Sequence, residues 1–217
     1  SCAIFAPEDS VIELHNEHKI ATSSGSVQGQ FVEYSKDSSP ASNVVSWLDI
    51  PYAQPPVGDL RWRAPRALQA PEAVIETKGN VVCVQPAGDY GGASAENGES
   101  VVGSEDCLYL DISAPEDFAS KSYPVMFWIH GGGNTTGTKN YYDFRKLVES
   151  QKVVVVTINY RLGALGWFTH PAIQNMQAGL DAASNFGTLD IIQALRWVQD
   201  NISQFGGDKS NVTIFGE

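Results

Sequence analysis

Three stretches of this chain are apolar at consecutive positions, and that pattern limits the fold more than any other feature. They are "VMFWI" (125–129), "VVVVTINY" (153–160) and "VTIF" (212–215). A strand with one wet face alternates apolar and polar side chains, whereas an unbroken apolar run suits a strand covered on both faces. Between the runs the period changes. Residues 141–151, "YYDFRKLVESQ", are helix-like, and 186–204 place Leu189, Ile192, Leu195, Trp197, Val198 and Ile202 at mostly helical spacing. Strand, helix, strand, helix, strand is the order of an α/β protein with a mostly parallel sheet. In such sheets chemistry gathers outside the carboxyl ends of the strands.

Upstream, "SVQGQFVEY" (26–34) and "VVSWLDI" (44–50) read as strands of an antiparallel N-terminal layer, and "CLYLDIS" (107–113) as a further strand. Residues 51–71 hold five prolines, which forbid a long helix or a central strand and predict an ordered, extended segment. The chain has 217 residues, 42% of them hydrophobic, enough for one sizeable core. Its net charge of -11, from 14 basic and 25 acidic residues, sets it against nucleic acid and anionic membranes. No apolar run is long enough to span a bilayer.

Three cysteines are present: Cys2, Cys83 and Cys107. Cys83 and Cys107 flank a segment rich in Gly, Ser and Glu. A bridge at the base of such a loop would contribute about 3–4 kcal/mol by the chain-entropy model and would imply an oxidising compartment. Cys2 is left over, either as a free thiol on a frayed terminus or as the lipid-anchored cysteine of an exported protein.

The strand ends carry the chemistry. Directly after "VMFWI" comes His130-Gly131-Gly132-Gly133. Consecutive glycines can turn without Cβ clashes and present backbone N–H groups. At a strand's carboxyl end those groups can face a developing negative charge, as an oxyanion hole does. After "VTIF" come Gly216 and Glu217, which fit the first two positions of a nucleophile elbow, Gly-x-Ser-x-Gly.

At this point the chain resembles the type-B carboxylesterases, the family that also contains the cholinesterases. "WLDIPYAQPPVGDLRWRAP" (47–65) is similar to that family's proline-rich N-terminal segment, and "SEDCLYLDI" (104–112) to its second signature. "HGGG" (130–133), "NYRLGALGW" (159–167), "SNFGTLDIIQALRWVQDNISQFGGD" (184–208) and "NVTIFGE" (211–217) follow in the family's order. The resemblance implies an α/β-hydrolase fold, with these residues as the N-terminal portion of a single catalytic domain that is incomplete by itself. It implies that Gly132 and Gly133 donate backbone N–H groups to an oxyanion. Glu217 would be the elbow residue before a nucleophilic serine, not the triad acid. His130 would shape the glycine loop, and with Gly131 and Asn134 line the substrate pocket. Triad acid and base would follow the serine. The expected partners are a small carboxylic ester and the remainder of the same enzyme, with no metal or cofactor, in an exported location.

Two departures bear on substrate. The segment 84–106 holds no Trp, so choline recognition is unsupported. Asn134 stands where many members carry a phenylalanine; either it admits a more polar acyl group or its side chain simply faces elsewhere. Other signals are weaker. His15 and His18 lack a third metal ligand. The sequons at Asn134, Asn201 and Asn211 read as chance matches. Glu105 and Asp106 are better read as loop anchors, to Arg161 or Arg61, than as an acid/base pair. Trp128, Trp167 and Trp197 read as core, with Trp167 and Phe168 able to approach the pocket. Ester hydrolysis through a serine acyl-enzyme is the leading reading; a non-catalytic, cholinesterase-like adhesion protein is the alternative.

Overall fold

The computed structural model describes residues 18–31, 43–95 and 97–217. Cys2, His15 and the end of the expected strand 26–34 lie outside them. Among the described residues, ten strands occur in chain order: β1 (Lys19–Thr22), β2 (Gly25–Gln28), β3 (Val44–Pro51), β4 (Val74–Ile75), β5 (Gln85–Pro86), β6 (Val101–Val102), β7 (Tyr109–Pro115), β8 (Tyr123–Ile129), β9 (Val154–Ile158) and β10 (Gly207–Gly216). Four α-helices are interspersed within the same described residues: α1 (Arg145–Gln151), α2 (Gly163–Gly166), α3 (Pro171–Gln174) and α4 (Phe186–Asn201).

The central sheet runs β10-β8-β9-β7-β3. β10, β8 and β9 are parallel, while β7 and β3 are antiparallel to their neighbours. The three apolar runs of the sequence are thus the parallel strands. β3 belongs to this main sheet instead of a separate N-terminal layer; β1, β2 and β4 form a small sheet of their own. The proline-rich segment carries only a short 3₁₀ turn at Gly58–Leu60.

Strand pleating explains the two cores. Val154, Val156 and Ile158 of β9 point to the side where Ala194, Trp197 and Val198 of α4 pack, with Ile202 and Phe205 of the following 3₁₀ turn. Val155 points to the other side, where α1 brings Val148. Each large side chain fully buried in this way contributes about 1.5–3 kcal/mol. Two expectations need correction. Ile214 of β10 is 54% exposed, so 212–215 is not buried on both faces. Among the described residues β10 pairs only with β8, which leaves it at the sheet's edge. In α4, Ile192 is exposed, while Asp190, Gln193 and Asn201 are buried. The helix buries a partly polar face, and apolar spacing alone misses such a face.

That polar face has partners. Arg161, just beyond β9, donates from Nε to Asp190 Oδ2 at 2.8 Å and from a terminal nitrogen to Oδ1 at 2.7 Å. Its backbone N–H donates to Oδ2 as well, at 3.0 Å. Both side chains are almost fully buried. Arg161 is therefore not the anchor of Glu105 or Asp106. Arg61 grips Glu105 with two 2.6 Å hydrogen bonds, and Lys78 lies 3.1 Å from Asp106. Cys83 and Cys107 form the expected disulfide.

Removing one member of a buried ion pair strands the other charge, at a cost of about 3–5 kcal/mol. Asp190→Ala is expected to lower unfolding free energy by about that amount in urea titrations, against less than about 1 kcal/mol for the half-buried Glu105→Ala, whose partner Arg61 is exposed.

Candidate active site

Parallel pairing sets the site. Gly216 of β10 stands in register with Ile129 of β8, so both strands end at the same edge. The next residues, His130-Gly131-Gly132-Gly133 and Glu217, therefore emerge side by side. A Cβ built on Gly131 would sit 2.9 Å from the Glu217 carbonyl oxygen and 3.0 Å from its Cγ. The two turns line one cleft of about 350 Å³ with Gly137, Tyr141 and Tyr142.

The loop needs glycine at Gly132. Its φ is +97°, and a Cβ there would lie 2.2 Å from the Thr136 carbonyl oxygen. That carbonyl faces the loop because Thr135 and Thr136 both donate backbone N–H groups to Gly132 O, at 3.1 and 3.2 Å. The turn folds back on itself, and its own carbonyl is satisfied from within. Among the described residues, no acceptor takes the N–H groups of Gly132 and Gly133. Backbone donors without a protein partner are rare unless solvent or a ligand meets them.

His130 holds the start of the loop. It is 3% exposed, and its ring stacks on Tyr160 with centroids 4.3 Å apart and planes 15° apart. Tyr160 donates its hydroxyl to the His130 carbonyl at 2.6 Å. The Nδ1 atom lies 2.9 Å from Gly131 O. A carbonyl only accepts, so Nδ1 carries the proton and the neutral tautomer leaves Nε2 bare. Burial pushes the imidazole's pKa down to about 4, outweighing the Gly131 carbonyl and Glu217, which act in the opposite sense. His130 is thus a neutral scaffold at pH 7, not a general base poised there.

The far end of the loop is pinned by a buried charge cluster. Lys139 is 1% exposed, and its ammonium lies 2.7 Å from Asp111 Oδ2 and 2.9 Å from Asp49 Oδ1. The contact with Asp111 is a hydrogen bond; that with Asp49 is attraction off the hydrogen-bond line. The Lys139 backbone N–H donates to Asn159 Oδ1 at 2.8 Å, tying the loop to the end of β9.

Of the residues singled out in sequence, His130, Gly131, Gly132 and Glu217 come together around the cleft. Gly133 is exposed beside them with φ +60°. Asn134 is exposed too, outside the cleft lining; its carbonyl accepts from Gly163 N at 2.7 Å. Trp167 packs edge-on to Tyr160, and Phe168 stacks on Trp62, so neither lines the cleft. Sequence reading passed over Tyr142, whose hydroxyl donates to Glu217 Oε2 at 3.0 Å, and over Tyr160, Lys139 and Gln85. Spacing gives no sign of them, because each acts across the fold. Among the described residues, no group of three or more His, Cys, Asp or Glu side chains could hold a metal ion.

A mixed sheet with helices on both faces and a glycine turn at its carboxyl edge places the chain in the α/β-hydrolase class. The chain belongs to the carboxylesterase family, whose model matches residues 16–217. It is 45% identical over 179 residues to the para-nitrobenzyl esterase of Bacillus subtilis (strain 168), covering 81% of this chain and 35% of that protein. It is 41% identical over 199 residues to the fumonisin B1 esterase of Sphingopyxis macrogoltabida, covering 90% of this chain and 34% of that protein. Among solved structures it is similar to a thermophilic PNB esterase, with a TM-score of 0.75 and 38% identity over 93% of this chain and 38% of that one. The chain thus spans about a third of the length of the curated relatives it matches.

The buried imidazole links stability to pH. Below pH 6.5 the unfolded chain takes up a proton that the folded chain refuses. Stability present above that pH is lost as pH falls towards about 4. The shift corresponds to about 3 kcal/mol. Urea titrations at pH 7 and pH 4 are expected to show that much less acid sensitivity in His130→Asn than in the parent protein.

Proposed function

We propose that the whole protein hydrolyses carboxylic esters through a serine acyl-enzyme, and that these residues are the N-terminal portion of its catalytic domain. The observation that carries this reading is the adjacency of the glycine turn and the Gly216-Glu217 corner, with two N–H groups free to donate. A serine placed directly after Glu217 would stand at the carboxyl end of β10, facing that turn. Its hydroxyl attacks the ester carbonyl as a histidine elsewhere in the protein removes the proton. The carbonyl oxygen becomes an oxyanion and accepts from Gly132 N–H and Gly133 N–H. The tetrahedral intermediate expels the alcohol, and water then hydrolyses the acyl-enzyme.

The other residues have supporting roles. His130, neutral and wedged against Tyr160, holds the Gly131 carbonyl so that it turns away from the oxyanion. Glu217 is an elbow residue, oriented by Tyr142. Para-nitrobenzyl and fumonisin B1 esterases both appear among the relatives, which supports an ester substrate without fixing its acyl or alcohol part. The adhesion alternative gains no support from them, and the glycines it would dispense with are intact. The disulfide favours an oxidising, exported location.

A fluorophosphonate probe is expected to label one serine of the whole protein and to abolish turnover of p-nitrophenyl esters. Gly132→Ala, which forces a Cβ into the Thr136 carbonyl, is expected to lower kcat by on the order of 10²–10³-fold, as loss of an oxyanion donor does. Absence of labelling in protein that binds esters would favour the adhesion alternative.

A further inference from the structure

The glycine loop is also gripped by a side chain from outside it. Gln85, two residues after Cys83, is 2% exposed. Its Oε1 accepts from Gly137 N–H at 2.8 Å. Its Nε2 donates to Gly137 O at 2.9 Å and to Cys83 O at 3.1 Å. One side-chain amide thus satisfies both backbone groups of a single loop residue, as a neighbouring strand would. Its second donor is spent on the base of the disulfide-closed segment. Gln85 therefore keeps both ends of its amide paired inside the fold, where an unpaired group would be costly.

Gly137 is the point where that grip reaches the site. Its φ is +125°, and a Cβ there would lie 2.1 Å from His130 Nδ1. The Gly137 backbone is accordingly pressed against the imidazole. That same nitrogen holds Gly131 O. A continuous line of contacts runs from Cys83 through Gln85, Gly137 and His130 to Gly131. No member of the line before Gly137 lies in the cleft.

We propose that Gln85 is a positioning residue for the oxyanion loop: by clamping Gly137 it fixes the His130 ring and, through it, the N–H groups of the glycine turn. This rests on the ester-hydrolase reading of the same site. Gln85 touches neither substrate nor reacting atoms. Its loss lets the donors drift from where the oxyanion forms, while ground-state binding elsewhere in the cleft is retained. The signature is a fall in kcat with little change in KM.

Two variants of the whole protein test it. Gln85→Met keeps length and apolar bulk and removes every hydrogen bond. Gln85→Glu keeps the acceptor for Gly137 N–H but, when ionised, sets a carboxylate against two carbonyls; once protonated it can donate again. For p-nitrophenyl esters, Gln85→Met is expected to lower kcat by about 10–100-fold with KM within about twofold. The kcat of Gln85→Glu relative to the parent is expected to climb as pH is lowered from 8 to 5.5. Hydrogen exchange is expected to quicken at residues 131–139 in Gln85→Met, with β8 and β9 unchanged.

Parental kcat in both variants overturns the proposal. So does a loss of kcat that only tracks a general loss of protection across the sheet, since that is a structural role and nothing more. If Gln85→Met fails to fold, the pH response of Gln85→Glu decides, and a flat ratio overturns the proposal. If the parent protein neither turns over esters nor takes the fluorophosphonate, the hydrolase reading has failed separately. Loop exchange in Gln85→Met then decides whether Gln85 holds the loop: faster exchange upholds it, unchanged exchange overturns it.

Discussion

The candidate site depends on one pairing, the parallel ladder between β8 and β10. Parallel strands that share a register end at the same edge, and each hands its chain to a turn there. Gly216 stands opposite Ile129, so a slip of two residues would carry Glu217 about 7 Å along the strand, away from Gly131. Nothing in the glycine loop could make good that displacement. The ladder is in turn held by the apolar side chains of β8 and β9, which bury one face under α4 and the other under α1. Hydrophobic burial is non-directional and supplies most of the stabilisation; the ladder turns it into a position.

Directional contacts then shape what the ladder has placed. The glycine loop leaves β8 with no regular structure of its own, and buried polar groups supply the restraint that a strand or helix would give. Tyr160 and His130 hold its start, Gln85 its bend, and Lys139 with Asp49 and Asp111 its end. Burying an ion cluster and several amides costs solvation, and such groups are weak sources of net stability. Their use here is geometric. Each is nearly satisfied within the fold, so each admits few alternatives. A loop fixed in advance spends less reorganisation when charge develops before it.

Much of the fold was legible in the chain. Unbroken apolar runs identified β8, β9 and β10; for β9 the reason is burial on both faces, which removes the need for alternation. Helical spacing identified α4, and the prolines of 51–71 kept that segment irregular. The glycines after β8 and the Gly-Glu corner after β10 marked where to look. Three readings needed the coordinates. The strand at 44–50 joined the main sheet, because pairing partners are chosen at long range. β10 turned out half exposed at an edge, because an apolar run does not state which neighbours cover it. The buried face of α4 carried Asp190, which no apolar pattern reveals, and claimed Arg161 from the loop carboxylates.

By itself the sequence determined which strands end in turns and that glycines 131–133 could turn there. Local steric freedom and hydrophobic periodicity are properties of neighbouring residues, and they can be read in order. Tertiary structure alone decided that the two turns meet, that His130 is neutral, and that Gln85 and Lys139 serve the loop from 52 residues upstream and from its far end. Those outcomes turn on desolvation and on hydrogen-bond directions between distant segments. Neither exists until the chain has folded.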